Sequence, residues 1–268
     1  MRERLVSVIM GVYNERDGKQ LALAINSILS QTFEDLEFII CDDGSDEPCF
    51  LMLQKICEGD GRICLLRHEH NRGLAAALNT CLARANGNYI ARMDGDDISK
   101  PERIVKQLEY LEGHPGCALV GCGAELLDER GVWGERHPVQ HPEKEDFLWG
   151  SPFIHPTVMV RREVLEQMGG YCTEDFALRA EDYELFMRIY EAGYQGCNLP
   201  DCLLLYREDR NSYSRRGYRY RLREYQVRKR GFERLGIARG HKRYMLKPLV
   251  VGLIPGFLIR WYRRMRGR

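Results

Sequence analysis

What most constrains the fold of this chain is a rhythm in its first third. Short aliphatic and β-branched runs, each closed by a polar or glycine-containing loop, alternate with helical patterns. Leu5 to Val12, Leu36 to Cys41 and Ile63 to Leu66 read as buried parallel strands, because runs apolar on both faces suit a sheet covered on both sides. Gln20 to Leu29 carries apolar residues at helical spacing, and Glu47 to Cys57 opens on Asp46 as N-cap with Pro48 in the first turn. Such alternation implies right-handed βαβ crossovers and an α/β fold.

A third helix, Leu74 to Ala85, leads into the strand Tyr89 to Met93, which ends at the acidic run Asp94-Gly95-Asp96-Asp97. Open α/β sheets bind ligands at that end of their strands. Further on, Pro101 to Glu112 reads as a helix, Ala118 to Gly121 and Thr157 to Arg161 as strands, and Glu163 to Met168 as a helix stopped by Gly169-Gly170. Glu181 to Glu191 is the last helix of the body, and Gly121 to Ser151 reads as loops.

Formal net charge is +1 over 268 residues, but from Arg207 onward there are 20 Lys and Arg against 4 Asp and Glu. A basic segment is thus attached to an acidic body, and the chain divides into residues 1–206, with halves meeting near residue 100, and an extension, 207–268. Arg215 to Leu235 reads as a basic helix. The apolar stretch Pro248 to Ile259 is too short to span a bilayer; flanked by arginines, with Trp261 and Tyr262 at its boundary, it suits an anchor on an anionic membrane surface. Docking of the extension on the body is the alternative. The ten cysteines form no CxxC pair, and Cys41, Cys81, Cys122 and Cys202 sit in apolar runs, so reduced, buried thiols and a cytoplasmic location are expected.

Three carboxylates in four positions repel one another unless a cation neutralises them, and hard oxygen ligands suit Mg²⁺ or Mn²⁺ shared with phosphate. An EF-hand does not fit, since Ser99 and Val105 stand where that loop needs Gly and Glu. Asp42-Asp43-Gly44-Ser45-Asp46 forms a strand-to-helix turn in which Asp46 is explained by capping and Asp43 is not. Asn71-Arg72-Gly73 precedes a helix N-terminus suited to an anion, though N-x-G is also an ordinary loop. Glu181 and Asp182 open a helix, where carboxylates are equally ordinary N-terminal charges; His155, before Pro156, equally suits packing. No GxxxxGK[ST], GxGxxG after the first strand, HExxH or GxSxG is present, which disfavours P-loop phosphoryl transfer and dinucleotide redox chemistry.

Val6-Ser7-Val8-Ile9-Met10-Gly11-Val12-Tyr13-Asn14, Asp42 to Asp46, Asn71 to Ala75, Ala91 to Asp97 and Ala180 to Leu185 occur together, in an order and spacing that resemble family 2 glycosyltransferases of the GT-A fold. The likeness covers about residues 4–215. It implies an inverting, metal-dependent enzyme moving a sugar from a nucleotide-diphosphate sugar, UDP-linked in the first instance, to a saccharide or lipid-linked saccharide in surface-polysaccharide synthesis. By the same resemblance, Val12, Tyr13, Glu15 and Asp43 would hold the base with Arg72 beside it. Asp94 would touch the ribose and share in the metal site, Asp96 would bind the divalent cation, and Asp97 would support the loop. Asp182 would be the general base, with Glu181 orienting it or the acceptor. His155 would lie on the acceptor or metal side, and Arg207 begins a stretch, through Ser212-Tyr213-Ser214, that would close over the donor phosphates. The family usually has Pro where this chain has Gly11, a change expected to loosen the first loop. A sugar-nucleotide pyrophosphorylase would need a Gly-rich Arg/Lys loop in place of Gly11 to Glu15; a non-catalytic nucleotide-sugar-binding subunit would need neither Asp96 nor Asp182. Nucleic acid is not an expected partner.

Overall fold

The computed structural model describes residues 5–208 and 218–253. Its first half follows the rhythm of the sequence: β1 (Val6–Val12), α1 (Gly18–Leu29), β2 (Leu36–Asp42), α2 (Glu47–Cys57), β3 (Ile63–Arg67), α3 (Leu74–Arg84) and β4 (Tyr89–Arg92). The strands pair in parallel in the order β3-β2-β1-β4. Asp17 caps α1 by accepting from the N–H groups of Lys19 and Gln20, and Asp46 caps α2 by accepting from Cys49. Alternation along β1 and β2 sorts the core onto both faces of the sheet. Ile9 and Ile39 pack with Ala77, Leu78 and Cys81 of α3, whereas Val8, Met10, Phe38 and Ile40 pack with Leu21 and Ile25 of α1. Each such fully buried aliphatic or aromatic side chain contributes roughly 1.5–3 kcal/mol.

The second half is mixed. β5 (Ile98–Ser99), α4 (Arg103–Gly113), β6 (Cys117–Asp128), β7 (Gly131–Arg136), β8 (Met159–Arg161), α5 (Arg162–Gln167), α6 (Glu181–Glu191) and β9 (Gln195–Arg207) follow in sequence. The sheet continues from β4 through β8, β6 and β9 to β5; β8 is antiparallel to β4 and β6, β9 runs parallel to β6, and β7 folds back on β6. Much of the span expected to be loop between Gly121 and Ser151 is therefore a hairpin. Gly121, Gly123 and Gly134 weaken its local strand signal, and its stability comes from long-range pairing with β8 and β9.

Gly11 also departs from expectation. It lies within β1, opposite Cys41, and a Cβ there would stand 3.0 Å from Leu74 Cδ1 and 3.2 Å from Ala77 Cβ. The glycine tightens the contact of β1 with α3 rather than loosening a loop.

β9 extends through Arg207, and the basic segment continues as α7 (Tyr218–Leu235) and α8 (Lys242–Leu253). Val227, Phe232 and Leu235 of α7 join the same core as Leu185 and Phe186 of α6. Arg228, 3% exposed, pairs with Glu224 and donates to the Leu148 carbonyl at 3.0 Å. α7 thus docks on the body over its described length. Residues 254–259 of the expected apolar anchor, and Trp261 and Tyr262, lie outside the described residues, as do Ser212 to Ser214. Among the described residues no helix is long and apolar enough to cross a membrane. All ten cysteines are free thiols; Cys41, Cys81 and Cys122 are buried as expected, whereas Cys202 is only partly so.

Candidate active site

The parallel strands β1, β2 and β4 end side by side, and their following loops build one wall of the candidate site. Asn14 adopts a left-handed conformation (φ 48°), donates its N–H to Ser45 Oγ at 2.8 Å and accepts from the Asp46 N–H at 2.9 Å, fastening the β1 loop to the β2 loop. This leaves Tyr13 with half its surface exposed (51%), an accessible ring beside a rigid turn. Glu15 accepts from the N–H groups of Arg16 and Asp17, so it shapes the start of α1. Gly44 has φ +73°, and a Cβ there would lie 2.4 Å from the His70 carbonyl carbon; only glycine fits.

Asp43 is the joint of this wall. At 3% exposure its carboxylate accepts from His68 Nδ1 (2.7 Å), Arg72 N (2.9 Å), Asn71 Nδ2 (3.0 Å) and Gly73 N (2.7 Å). Those bonds use all of a carboxylate's lone-pair positions. Asp43 therefore has none left for a direct bond to a ligand base; it holds the Asn71-Arg72-Gly73 loop, from which the exposed Arg72 projects at the N-terminus of α3.

β4 leads into the acidic run. Ligand oxygens of Asp94, Asp96 and Asp97 lie within 4.8 Å of one another. Asp97, 1% exposed, accepts from the Arg207 N–H at 2.7 Å through Oδ1, while Oδ2 is buried with no hydrogen-bond partner. Arg207 Nε donates to the Asp96 carbonyl at 3.1 Å, so the end of β9 clamps the loop. Burial first, and the Asp94 carboxylate next, push the Asp96 pKa up to about 6, with Glu15 adding to the same field. Burial and the two neighbouring aspartates raise Asp97 as well. Crowded, oxygen-only ligands, one with an orphaned oxygen, fit a hard divalent cation.

The second wall comes from the other half of the sheet. α6 opens with Glu181 and Asp182; Glu181 is 7% exposed, its Oε2 has no hydrogen-bond partner, and burial followed by the Asp182 charge raises its pKa. His155 accepts or donates through Nε2 to Tyr171 Oη at 3.0 Å, and burial, with Arg92 next, holds its imidazole neutral. The Tyr171 backbone is gripped from α3: its N–H donates to Asn79 Oδ1, and its carbonyl accepts from Asn79 Nδ2, each at 2.8 Å.

Arg92 joins the two walls. Only 2% exposed, it forms an ion pair with Asp94, and its Nε and Nη1 find no hydrogen-bond partner. The charges of Arg92, Asp182, Glu181 and Asp94 all act on the Tyr171 hydroxyl, which places both carboxylate groups in its neighbourhood. Sequence reasoning gave no role to Arg92, Tyr171 or Asn79. A lone arginine in the apolar run Tyr89-Ile90-Ala91-Arg92-Met93 was a signal for the first; the others carry none.

Residues 7–169 match the model of the family described as Glycosyl transferase family 2. The chain belongs to that family. Over 262 residues this glycosyltransferase is 38% identical to EpsE of Bacillus subtilis, a protein named as a glycosyltransferase, covering 97% of this chain and 94% of EpsE. It is 30% identical to the amylovoran biosynthesis glycosyltransferase AmsE of Erwinia amylovora, covering 91% and 93% of the two chains. Among solved structures, Staphylococcus aureus TarS 1–349 in complex with UDP-GlcNAc superposes with a TM-score of 0.70 at 17% identity, covering 96% of this chain and 78% of that one. The mannosyltransferase PcManGT of Pyrobaculum calidifontis, in complex with GDP-Man and Mn²⁺, gives 0.63 at 20% identity, covering 95% and 77%. The family 2 enzyme thus has the GT-A fold expected from its motifs.

Proposed function

We propose that this glycosyltransferase is an inverting enzyme that moves a sugar from a nucleotide-diphosphate sugar, UDP-linked in the first instance, to a hydroxyl of a lipid-linked saccharide in surface-polysaccharide synthesis. The observation that carries the reading is the grouping of two carboxylate clusters, Asp94-Asp96-Asp97 and Glu181-Asp182, around Arg92 and Tyr171: Arg92 pairs with Asp94, and the charges of both clusters act on the Tyr171 hydroxyl. Nucleotide-sugar complexes of TarS and PcManGT and the polysaccharide named for AmsE support the donor and pathway class.

In this reading the β1 and β2 loops receive the nucleotide: Tyr13 and the Val12 backbone frame the base, Asp43 sets the loop, and Arg72 faces the phosphates or base edge. Asp94 reaches the ribose. Asp96, with Asp94, would hold a divalent cation, Mn²⁺ or Mg²⁺, which when bound neutralises charge developing on the leaving diphosphate. Arg207 and Asp97 keep that loop in place. Asp182 takes the proton of the acceptor hydroxyl as its oxygen attacks the anomeric carbon from the face opposite the diphosphate, which inverts configuration. Glu181, whose pKa burial and then the Asp182 charge raise, orients Asp182 or the acceptor. His155, neutral and joined to Tyr171, offers the acceptor side a hydrogen bond without charge.

Calorimetry with a UDP-sugar and Mn²⁺, run beside a transfer assay, tests the roles. Asp182→Asn should lower kcat by about 10²–10⁴-fold with donor affinity nearly intact, as for loss of a general base. Asp96→Ala should weaken metal-dependent donor binding. Wild-type turnover in the first variant would remove the base assignment, and unchanged donor affinity in the second would remove the metal one.

Peripheral attachment to the cytoplasmic leaflet belongs to the same proposal. Leu246, Val250 and Leu253 are exposed on α8 at helical spacing, beside Lys242, Arg243 and Lys247, and the 64%-exposed Trp149 receives Lys247 at its backbone carbonyl. Flotation of the full chain with anionic vesicles should be lost in Leu246→Glu/Val250→Glu; equal flotation of that variant would refute attachment through this face.

A further inference from the structure

Away from the candidate site, β7 and β9 bring together side chains of a different metal chemistry. Glu135 lies in β7 and His137 just past its end, and their side chains meet at 2.8 Å. β7 and β9 flank β6 on opposite edges; Cys202 of β9 pairs with Gly123, and Ala124 pairs with Arg136, one step before His137. Gly123 thus separates His137 from Cys202, and a Cβ on it would stand 3.0 Å from Cys202 Sγ. The glycine leaves the space in which side chains of the outer strands meet. The β6–β9 register also shifts on both sides of Gly123, passing from Leu199 to Cys202 in one step of β6. Irregularities of this kind re-aim side chains.

The outcome is a compact triad. His137 Nε2 lies 2.8 Å from Glu135 Oε2 and 3.9 Å from Cys202 Sγ, and the three ligand atoms fall within 4.8 Å of one another. A tetrahedral ion bound at about 2.3 Å to sulfur and about 2.0–2.1 Å to nitrogen and oxygen needs ligand atoms roughly 3.3–3.6 Å apart. The two His137 distances lie within about half an ångström of those values, so side-chain adjustment can bring the triad onto one ion.

We propose that Glu135, His137 and Cys202 form a second metal site, for Zn²⁺, distinct from the oxygen-only site at Asp94, Asp96 and Asp97. Thiolate and imidazole select Zn²⁺ over Mg²⁺ or Mn²⁺, whereas the aspartates select the reverse. Burial, then the Glu135 charge, raises the Cys202 pKa, so the cation displaces a proton on binding. An ion there ties the β6–β7 hairpin to β9, the strand whose last residue, Arg207, holds Asp97.

The test uses the full chain, stripped with a chelator and titrated with Co²⁺ while thiolate-to-cobalt charge-transfer absorption is followed in the near ultraviolet. Wild type should show a band that Zn²⁺ displaces. Cys202→Ser should abolish it, His137→Ala should weaken Co²⁺ binding by more than about tenfold, beyond the least loss on removing an outer-shell partner, and Asp96→Asn should leave it unchanged. In unsubstituted protein, Zn²⁺ should also slow maleimide labelling of the Cys202 peptide selectively. Absence of the band in wild type, its survival in Cys202→Ser, its loss in Asp96→Asn, or labelling indifferent to Zn²⁺ would each overturn the site.

Discussion

Two groups of buried charge in the candidate site, one around Asp43 and one around Arg92, are held in opposite ways. Around Asp43 every carboxylate lone pair is used by the protein, and the loops of β1, β2 and α3 are locked together before any ligand arrives. Around Arg92 the reverse holds: two guanidinium nitrogens, one Asp97 oxygen and one Glu181 oxygen are buried without partners. Buried polar groups left unpaired cost stability, and their concentration at one place marks where the protein keeps capacity for a ligand. The Asp43 carboxylate is built as a rigid joint, and the ground around Arg92, Asp97 and Glu181 as a set of open valences.

That contrast predicts opposite responses to removing a carboxylate. Asp43→Ala should destabilise the fold by about 3 kcal/mol, because it orphans buried N–H donors of the Arg72 loop, and donor affinity should fall with it. Chemical denaturation and donor calorimetry check this together. If Asp43→Ala keeps wild-type stability while losing donor binding, Asp43 contacts the ligand and the joint reading fails. Glu181→Gln should have a smaller effect on stability and of the other sign, from neutral to a gain of about 1 kcal/mol, since it removes a desolvated charge repelled by Asp182. Turnover should nevertheless fall. A loss of stability as large as that of Asp43→Ala would show that Glu181 is a structural partner.

The same contrast explains what could be read from the sequence. The Asp43 side of the site is made by neighbours in sequence: apolar strands, caps at Asp46, a glycine at position 44, and a carboxylate next to its loop. Its elements were therefore legible to within a residue or so, as was α6 from its apolar spacing. In the second half α4, β8, α5 and the start of β6 were legible too, but β5, β7, β9 and the rest of β6 were not; β9 carries Gly196, Asn198, Pro200 and Asp201, residues that disfavour strands and are carried here by parallel pairing with a strand far away in the chain. The acidic run announced a cation site by its charge density alone. What it could not announce was the grouping of Arg92, Tyr171 and Asp182 from β4, the residue after the Gly169-Gly170 turn, and α6, which depends on the antiparallel insertion of β8. Asp43 stood out because capping did not explain it, but its four bonds include His68 and Asn71 from beyond the next helix and strand, so its role as a joint was not legible.

The smallest predicted effect lies in the Arg92 group and tests whether its neutral members are held neutral. Burial, with the Arg92 charge behind it, depresses the His155 pKa below the ordinary imidazole value. In the unfolded chain this residue takes up a proton as pH falls through about 6.5, whereas in the folded chain it does so only at lower pH. The unfolded state then binds more protons, so stability should decline as pH drops below about 6.5, and the decline should level off once the folded imidazole also protonates. Burial of Tyr171, which raises its hydroxyl pKa, keeps that partner protonated throughout the same range. Urea denaturation of wild type and His155→Asn between pH 7.5 and about 5 isolates the contribution of this residue. The variant should lose less stability than wild type over that interval, because asparagine has no proton to gain. Parallel curves for the two proteins would mean that His155 titrates normally in the folded state, and that the space between Arg92 and Tyr171 is as well hydrated as the surface.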